Sequence, residues 1–236
     1  MEAVTPENKK ESYKLFDQIA KTYDFLNIIL SLGIDRLWRR KIIKLINHQP
    51  VDQALDLATG TGDMAILLGQ QASIKNVLGL DMSKGMVDCG HPKVRKANLQ
   101  HKVKLDIGNG MDIPLADNSK DLITITFGIR NFGDFRKGLQ EMNRVLTPNG
   151  RCFIMEFGLP KNILIKNIYL FYFRNILPLI GKIISKNPTA YSYLNKTVES
   201  FPYDKEFADE MKKAGFSKII IHPLTFGIAS IYEATK

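Results

Sequence analysis

The sequence predicts an α/β fold built on a doubly wound, mostly parallel sheet. From residue 51 onwards, short apolar runs typical of buried strands alternate with segments of helical period. Several of these runs end in Gly or Asp, and the last two lie close enough in sequence to form a hairpin. The chain has 236 residues, 44% of them hydrophobic, which suffices for one core without disulfides or metals. We therefore expect a single domain over residues 1–236, with a C-terminal antiparallel hairpin strand.

The N-terminal segment, residues 1–48, is predicted to form a helical cap on this sheet. Apolar residues recur every three or four positions between residues 8 and 47, as on one face of a helix. Ser31-Leu32-Gly33 predicts a break between two helices.

The rest of the chain divides into strands and helices in turn. The predicted strands are residues 54–58, 77–81, 103–107, 122–127, 152–157, 218–221 and 227–234. The predicted helical segments are residues 65–70, 86–89, 135–146 and 206–214. Ser83 is a candidate N-cap, and Thr147-Pro148-Asn149-Gly150 predicts a turn before the fifth strand.

An insertion at residues 161–200 interrupts this alternation before the last two strands. Up to residue 198 it contains six Lys and Arg residues among aliphatic and aromatic side chains, and no Asp or Glu. Its longest apolar stretch is too short to cross a bilayer, because charged residues and a proline interrupt it. We expect the insertion to act as a substrate lid and to contact an anionic membrane surface. A homodimer interface and ordinary core helices are the alternatives.

Composition restricts the partners and the compartment. The net charge of +9 and the pI of about 9.4 point to an anionic partner, either nucleic acid or a membrane surface. We expect no nucleic acid, because the basic residues lie among aliphatic ones and no RNA-binding appendage is present. Two cysteines make no disulfide framework, and the N-terminus has no secretory pattern, so we expect a cytoplasmic protein. The four histidines have no ligand spacing, so we expect no metal.

The motif LDLATGTGD, residues 55–63, follows the first predicted strand and indicates a ligand site. It is not a P-loop, because no Lys-Ser/Thr follows the second Gly. Gly60 and Gly62 fit a dinucleotide pattern, and Asp81 lies about 20 residues further on. However, Asp56 and Asp63 flank the turn and disfavour a pyrophosphate there. Carboxylates favour a ligand with an ammonium at this place, as in S-adenosylmethionine, while an NAD-linked oxidoreductase remains the alternative.

Polar residues also follow the third and fourth predicted strands. Asn109 and Gly110 come after the third strand, where a side-chain amide suits the edge of an adenine; a simple turn is the alternative. Thr126 ends the fourth strand. Arg130 and Asn131 follow it, where a transferred methyl group should emerge, unless this is an ordinary surface loop.

Longer motifs carry a family resemblance. They read LFDQIAKTYDFLNIILSLGIDRLWRR near the N-terminus, LATGTGD, LDMSKGM and ITFGIRNF at strand ends, and AYSYLNKTVESFP in the insertion. With these segments the chain resembles the ubiquinone/menaquinone biosynthesis C-methyltransferases along nearly its whole length. The resemblance implies a Rossmann-like class I fold, S-adenosylmethionine as the cofactor, and C-methylation of a demethylated polyprenyl quinol. The acceptor would be 2-demethylmenaquinol, the ubiquinone precursor, or both.

Site residues follow from the motifs and the resemblance together. The expected cofactor-binding residues are Gly60, Thr61, Gly62, Asp81, Asn109, Gly110 and Thr126. Arg130 and Asn131 are the expected catalytic residues: Arg130 as a fixed cation facing the developing phenolate, and both as holders of a water that takes the proton. Tyr23, Tyr191 and Tyr193 are candidates for orienting the ring. Methylation of RNA or another small molecule, and a scaffold without catalysis, are the alternatives.

Overall fold

The computed structural model describes residues 12–31, 33–176 and 197–236. The strands in these ranges are β1 Val51–Leu57, β2 Ile74–Asp81, β3 Val103–Ile107, β4 Lys120–Thr126, β5 Leu146–Phe157, β6 Ser217–Leu224 and β7 Ala229–Thr235. In this part of the chain they form one seven-stranded sheet in the order β3-β2-β1-β4-β5-β7-β6.

The sheet is parallel from β1 to β5, and only its last strand pairs run antiparallel. β1 lies between β2 and β4 and pairs in parallel with both. β7 is antiparallel to β5 and to β6. The chain thus leaves β1 towards one edge, returns, and continues towards the other from β4. This confirms the predicted doubly wound sheet with its C-terminal hairpin, and it places a topological switch point at the carboxyl ends of β1 and β4.

Helices flank the sheet in the order that the sequence predicts, and one further helix, α6, lies in the insertion. They are α1 Ser12–Ser31, α2 Ile34–Ile46, α3 Asp63–Gly69, α4 Lys84–Lys96, α5 Phe135–Val145, α6 Ile163–Phe171 and α7 Lys205–Lys213. Side chains satisfy the first N–H groups of three of them: Ser83 caps α4, Asp134 caps α5 and Asn162 caps α6. α6 continues into a π-turn, Tyr172–Ile176. Gly33, at φ 73°, separates α1 from α2 near the predicted break.

Apolar side chains fill both faces of the sheet. Ile42 of α2 and Leu68 of α3 belong to one buried cluster. Leu139 of α5 and Phe207 of α7 belong to the other. Because both faces are covered, the central strands are apolar runs without alternation, which is why the sequence predicts a parallel sheet.

The predicted turn at residues 147–150 is a bulge within a longer strand. β5 begins at Leu146, not at residue 152, and its register against β4 shifts between Lys120 and Leu122. Asn149 takes a φ of 65° in the bulge, a conformation that Asn tolerates better than most residues.

The described part of the insertion consists of α6, the π-turn and a short helical stretch from residue 197. Tyr191 and Tyr193 lie outside the described residues, as do three of the insertion's six basic residues, Lys182, Lys186 and Lys196. Among the residues that are described, no helix combines the length and the apolar character that crossing a membrane requires.

Candidate active site

A pocket lies at the switch point, where the loops after β1, β2, β3 and β4 meet α1. Its empty volume is about 700 Å³ including the space at its open mouth, within the usual range for small-molecule sites. It is lined by Ser12, Tyr13, Phe16, Tyr23, Ala58, Gly60, Asp81, Met82, Met86, Gly108, Gly110, Met111, Thr126, Phe127, Gly128, Asn131, Phe132 and Gly133. We call it the switch-point pocket.

Asp81, at the end of β2, connects two of the loops that form this pocket. Its Oδ2 accepts the backbone N–H of Gly60 at 2.8 Å, and its Oδ1 accepts that of Ser83 at 2.8 Å. Gly60 can make this contact because its φ of 56° is readily available to glycine. Burial raises the pKa of Asp81, whereas the N–H groups of Ser83 and Gly60 oppose that rise. The N–H of Met82 lowers the pKa of Asp81 as well. The oriented carboxylate lines the pocket and can still accept a hydrogen bond from a ligand hydroxyl.

The two carboxylates of the glycine motif, Asp56 and Asp63, do not line the described pocket, which corrects the charge argument made from the sequence. Asp56 is almost fully buried and accepts the hydroxyls of Thr59 at 2.6 Å and Thr124 at 2.7 Å. Asp63 forms an ion pair with Lys93. Both side chains are committed to the protein, whereas Asp81 lines the pocket.

Thr61 and Gly62 serve the structure around the turn. The Thr61 hydroxyl donates to Asp24 of α1 at 2.6 Å and accepts from Lys93 at 2.8 Å. Gly62 has a φ of 83°, and a Cβ there would lie 3.0 Å from Leu105. Neither residue is among those that line the switch-point pocket, so any ligand contact from them would use the backbone of the turn.

The β3 loop closes another side of the pocket. Asn109 folds back on its own loop, because its Oδ1 accepts the N–H of Met111 at 2.9 Å. Gly110 lines the pocket beside Phe132, whose ring would lie 2.3 Å from a Cβ at this position. Thr126 lines the pocket from the end of β4. The structure thus brings Gly60, Asp81, Gly110 and Thr126 together at one pocket, whereas Asn109 lies behind it.

Arg130 and Asn131 follow β4, but only Asn131 lines the switch-point pocket. Arg130 is 5% exposed, and its Nη1 donates to Glu156 at 2.8 Å and also to the carbonyl of Phe127. The guanidinium lies 5.3 Å from the centre of the Phe157 ring. Arg130 Nε and Asn131 Oδ1 are buried without a hydrogen-bond partner in the described structure. Arg130 is therefore one half of a buried ion pair whose Nε–H has no partner among the described residues.

The sequence analysis missed most of the contribution of α1. Ser12, Tyr13 and Phe16 line the pocket, and only Tyr23 was named as a candidate beforehand. Their spacing along a helix puts them on one face, which reads as ordinary core contact when no ligand is known. Burial raises the pKa of Tyr23, and its hydrogen bond with Asn27 lowers it.

Comparison with known proteins decides the family. The model of the ubiE/COQ5 methyltransferase family matches residues 4–236. The chain belongs to this family. It is 44% identical over 231 residues, 98% of either protein, to the ubiquinone/menaquinone biosynthesis C-methyltransferase of Geotalea daltonii. It is 42% identical to the demethylmenaquinone methyltransferase of Bacteroides fragilis, covering 94% of this chain and 91% of that one.

Solved structures agree with this fold. An S-adenosylmethionine-dependent methyltransferase from Thermotoga maritima aligns with a TM-score of 0.65 at 19% identity, over 95% of this chain and 99% of that one. The phosphoethanolamine N-methyltransferase 2 of Haemonchus contortus, solved with S-adenosyl-L-methionine, aligns with a TM-score of 0.64 at 14% identity, over 84% of this chain and 52% of that one. The fold is Rossmann-like class I, and the protein is an S-adenosylmethionine-dependent methyltransferase.

The residues of the switch-point pocket fit this cofactor. Asp81 places a carboxylate at the pocket, which can accept a hydrogen bond from a ribose hydroxyl. Met82 and Met86 give an apolar wall, and the glycine-rich segments at Gly60 and Gly108 keep Cβ atoms out of the pocket. No basic side chain is among the residues that line the described pocket, which suits a ligand without phosphate.

Proposed function

We propose that the protein methylates a ring carbon of a demethylated polyprenyl quinol, converting 2-demethylmenaquinol to menaquinol. The ubiquinone precursor is a second acceptor to be tested. The observation that carries the proposal is the near full-length identity of 42–44% to enzymes named for these C-methylations. The pocket supports it, because five aromatic residues line the cavity in which the methyl donor would bind: Tyr13, Phe16, Tyr23, Phe127 and Phe132.

The cofactor would be held by the walls of the switch-point pocket. We assign its ribose to Asp81, its adenine to the loop of Gly108 and Gly110, and its methionine end to the turn at Gly60. Asn109, Thr61 and Gly62 would act through the loop and turn conformations that they support. Once bound, S-adenosylmethionine supplies an electrophilic methyl group.

The task left to the protein is to make a ring carbon of the acceptor nucleophilic. Removal of a proton from the adjacent phenol does this, but free phenols ionise only near pH 10. We assign the unused Nε–H of Arg130 as the donor that stabilises the phenolate oxygen. The unpaired Oδ1 of Asn131 would accept from the phenol or from a water that takes the proton. Glu156 fixes the guanidinium, so that it need not reorganise during the reaction.

We further propose that the insertion is a lid that collects its substrate from an anionic membrane on the cytoplasmic face. The exposed face of α6 carries four large apolar side chains, Ile163, Leu164, Ile168 and Phe171. Lys166 lies on the same helix, and no acidic residue does. A polyprenyl tail partitions into a bilayer, so a lid that docks there would shorten its path. A homodimer formed through the same face is the competing explanation.

A competition assay tests the function. The protein receives methyl-labelled S-adenosylmethionine together with short-chain demethylmenaquinol, the demethylated ubiquinone precursor and bulk tRNA, under reducing conditions. We expect label in the organic extract and none in the nucleic acid. Label in the tRNA alone would replace the quinol function with RNA methylation.

Arg130→Ala and Arg136→Ala form the matched pair for this assay. Arg136 is an exposed arginine on α5 whose contacts are Phe135 and Glu210, away from the described pocket. We expect turnover of Arg130→Ala to fall about 100-fold or more, by analogy with loss of an oxyanion donor, with binding of S-adenosylmethionine retained. Equal turnover by the two variants would remove Arg130 from the mechanism.

A further inference from the structure

Some buried polar atoms of the described structure have no hydrogen-bond partner, and one of them belongs to the insertion. The described structure contains few buried side-chain N or O atoms without a hydrogen bond, and they include Arg130 Nε, Asn131 Oδ1 and Tyr169 Oη. Leaving such an atom unpaired in the interior is unfavourable, so an unpaired atom close to a ligand site is a candidate for a contact with the ligand. The first two already belong to the proposed catalytic site, whereas Tyr169 comes from the insertion.

Tyr169 is the buried residue of α6. It is 8% exposed, while its helix neighbours Ile168 and Phe171 face outwards. The helix therefore inserts one side chain into the protein and leaves its opposite face open. A phenylalanine would fill this apolar position without burying an unpaired hydroxyl, so packing alone does not account for a tyrosine.

An aromatic row connects Tyr169 to the switch-point pocket. Phe127, which lines that pocket, stacks on Phe157 with ring centres 4.3 Å apart. Phe157 contacts Phe173 at 6.5 Å, and Phe173 contacts Tyr169 at 5.1 Å. Arg130 lies over Phe157, at the middle of the row.

The charges of the same ion pair act on the Tyr169 hydroxyl. Burial raises the pKa of Tyr169, the charge of Arg130 lowers it, and that of Glu156 raises it. The net direction is upward from an ordinary value near 10, so the hydroxyl stays protonated at neutral pH. It is therefore available as a hydrogen-bond donor.

We propose that Tyr169 contacts the acceptor and that its hydroxyl hydrogen-bonds one of the two ring oxygens of the quinol. This inference rests on the proposed function. A 1,4-quinol carries two hydroxyl groups on opposite sides of its ring, and Arg130 with Asn131 addresses only the one that ionises. Tyr169 gives the lid a polar contact for the other, so that the ring is held from both sides.

The test uses Tyr169→Phe, which keeps the ring and removes the oxygen, with Tyr172→Phe in the adjoining π-turn as the control. Trp38 is the single tryptophan of the chain and lies 6.0 Å from Phe127, so its fluorescence reports binding near the aromatic row. We expect the Kd of short-chain demethylmenaquinol to rise about tenfold in Tyr169→Phe, with kcat/KM falling in parallel. The Kd of S-adenosylmethionine should stay unchanged, and Tyr172→Phe should match the wild type.

The outcomes separate this inference from the function on which it rests. If the wild type methylates the quinol and Tyr169→Phe binds and methylates it equally well, the Tyr169 contact is wrong and the function stands. An equal loss of affinity for both ligands in Tyr169→Phe would show a structural role and overturn the contact. If the wild type does not methylate the quinol, the function itself fails.

Discussion

Two buried acidic residues, on the two strands that flank β4, show that the partners of a carboxylate determine its role. Glu156, at the end of β5, faces the guanidinium of Arg130 and forms a buried ion pair. Among the described residues, Asp56, near the end of β1, accepts hydrogen bonds from two threonine hydroxyls and from no charged group. Burial raises the pKa of Asp56 from an ordinary 3.8 to about 6, although both hydroxyls lower it. Near neutral pH, Asp56 is therefore a charge that folding has to desolvate.

The raised pKa of Asp56 makes stability depend on pH. The folded state holds the proton up to about pH 6, whereas the unfolded chain releases it near pH 4, so stability is lost as pH rises between these values. This difference in the pKa of Asp56 between the folded and unfolded states lowers the free energy of unfolding by about 3 kcal/mol at neutral pH. We expect Asp56→Asn to raise the free energy of unfolding at pH 7 by up to about this amount and to flatten its pH dependence between 4 and 6.

Urea unfolding at pH 4.5 and pH 7 measures this effect. Asp106→Asn is the control, because Asp106 on β3 is exposed and bonds only to its neighbouring N–H. A drop in stability of Asp56→Asn at pH 7 would mean that the charge of Asp56, not its shape, supports the turn.

The role of a residue could be predicted from the sequence where a suitable residue type stands directly after a predicted strand. Gly60 and Asp81 were identified because a turn and an acid follow consecutive strands, and both lie at the pocket. The partners of Asp56 and Arg130 could not be predicted, because Thr124 and Glu156 are distant in sequence. Only the pairing of β1 with β4 and of β4 with β5 brings them together.

At the scale of elements, α1 is fastened across the switch-point pocket at two points. Asp17 accepts the Ser83 hydroxyl at 2.6 Å and the Gly85 N–H at 2.8 Å, at the start of α4. Seven residues later, Asp24 accepts Thr61 at 2.6 Å and Lys93 at 2.7 Å. Two helical turns separate the acids, so both lie on one face of α1. The helix thereby holds Tyr13 and Phe16 against the pocket.

Removing one of these two fastenings should loosen the cofactor. We expect Asp24→Ala to raise the Kd of S-adenosylmethionine about three- to tenfold, mainly through faster dissociation, because charge-assisted bonds that are partly exposed are weakened by solvent. Titration calorimetry and stopped-flow release measure the two quantities. Asp88→Ala is the control, because Asp88 forms an exposed ion pair with Lys84 on α4. An unchanged Kd in Asp24→Ala would mean that α1 does not close the pocket.

Element types were predictable, but element ends were less so. Hydrophobic period identified the strands and the N-terminal helices, because both faces of the sheet are buried. The start of β5 was placed six residues too late, since Pro148 and Gly150 indicate a turn and a bulge uses the same residues. The sequence of α6 indicated an apolar basic segment without revealing that Tyr169 alone turns inwards.

For the whole molecule, the net charge of +9 and the exposed apolar face of α6 both support the proposed contact with an anionic membrane. The exposed apolar side chains of α6 would enter the bilayer, and the positive net charge of the protein would favour an anionic surface. Loss of two such side chains removes a large share of that binding energy.

Vesicle co-sedimentation checks this interaction. We expect the pair Leu164→Glu and Ile168→Glu to reduce binding to phosphatidylglycerol-containing vesicles at least tenfold while methylation of a short-chain, detergent-dispersed quinol persists. Ile220→Glu, which changes an exposed isoleucine on β6, is the matched control. A different outcome would make the α6 face a protein interface. In that case the double variant binds vesicles as well as the wild type does, and sedimentation velocity shows a dimer for the wild type but not for the double variant.

The measurement that tests the central claim most directly is the structure of the product. Wild-type protein, methyl-labelled S-adenosylmethionine and demethylmenaquinol react under reducing conditions, and the extracted quinone is analysed by mass spectrometry and NMR. We predict one added methyl group, attached to the ring carbon beside the ionised oxygen. A methyl group on oxygen, or an unmodified quinone from protein that still binds S-adenosylmethionine, would contradict quinol C-methylation.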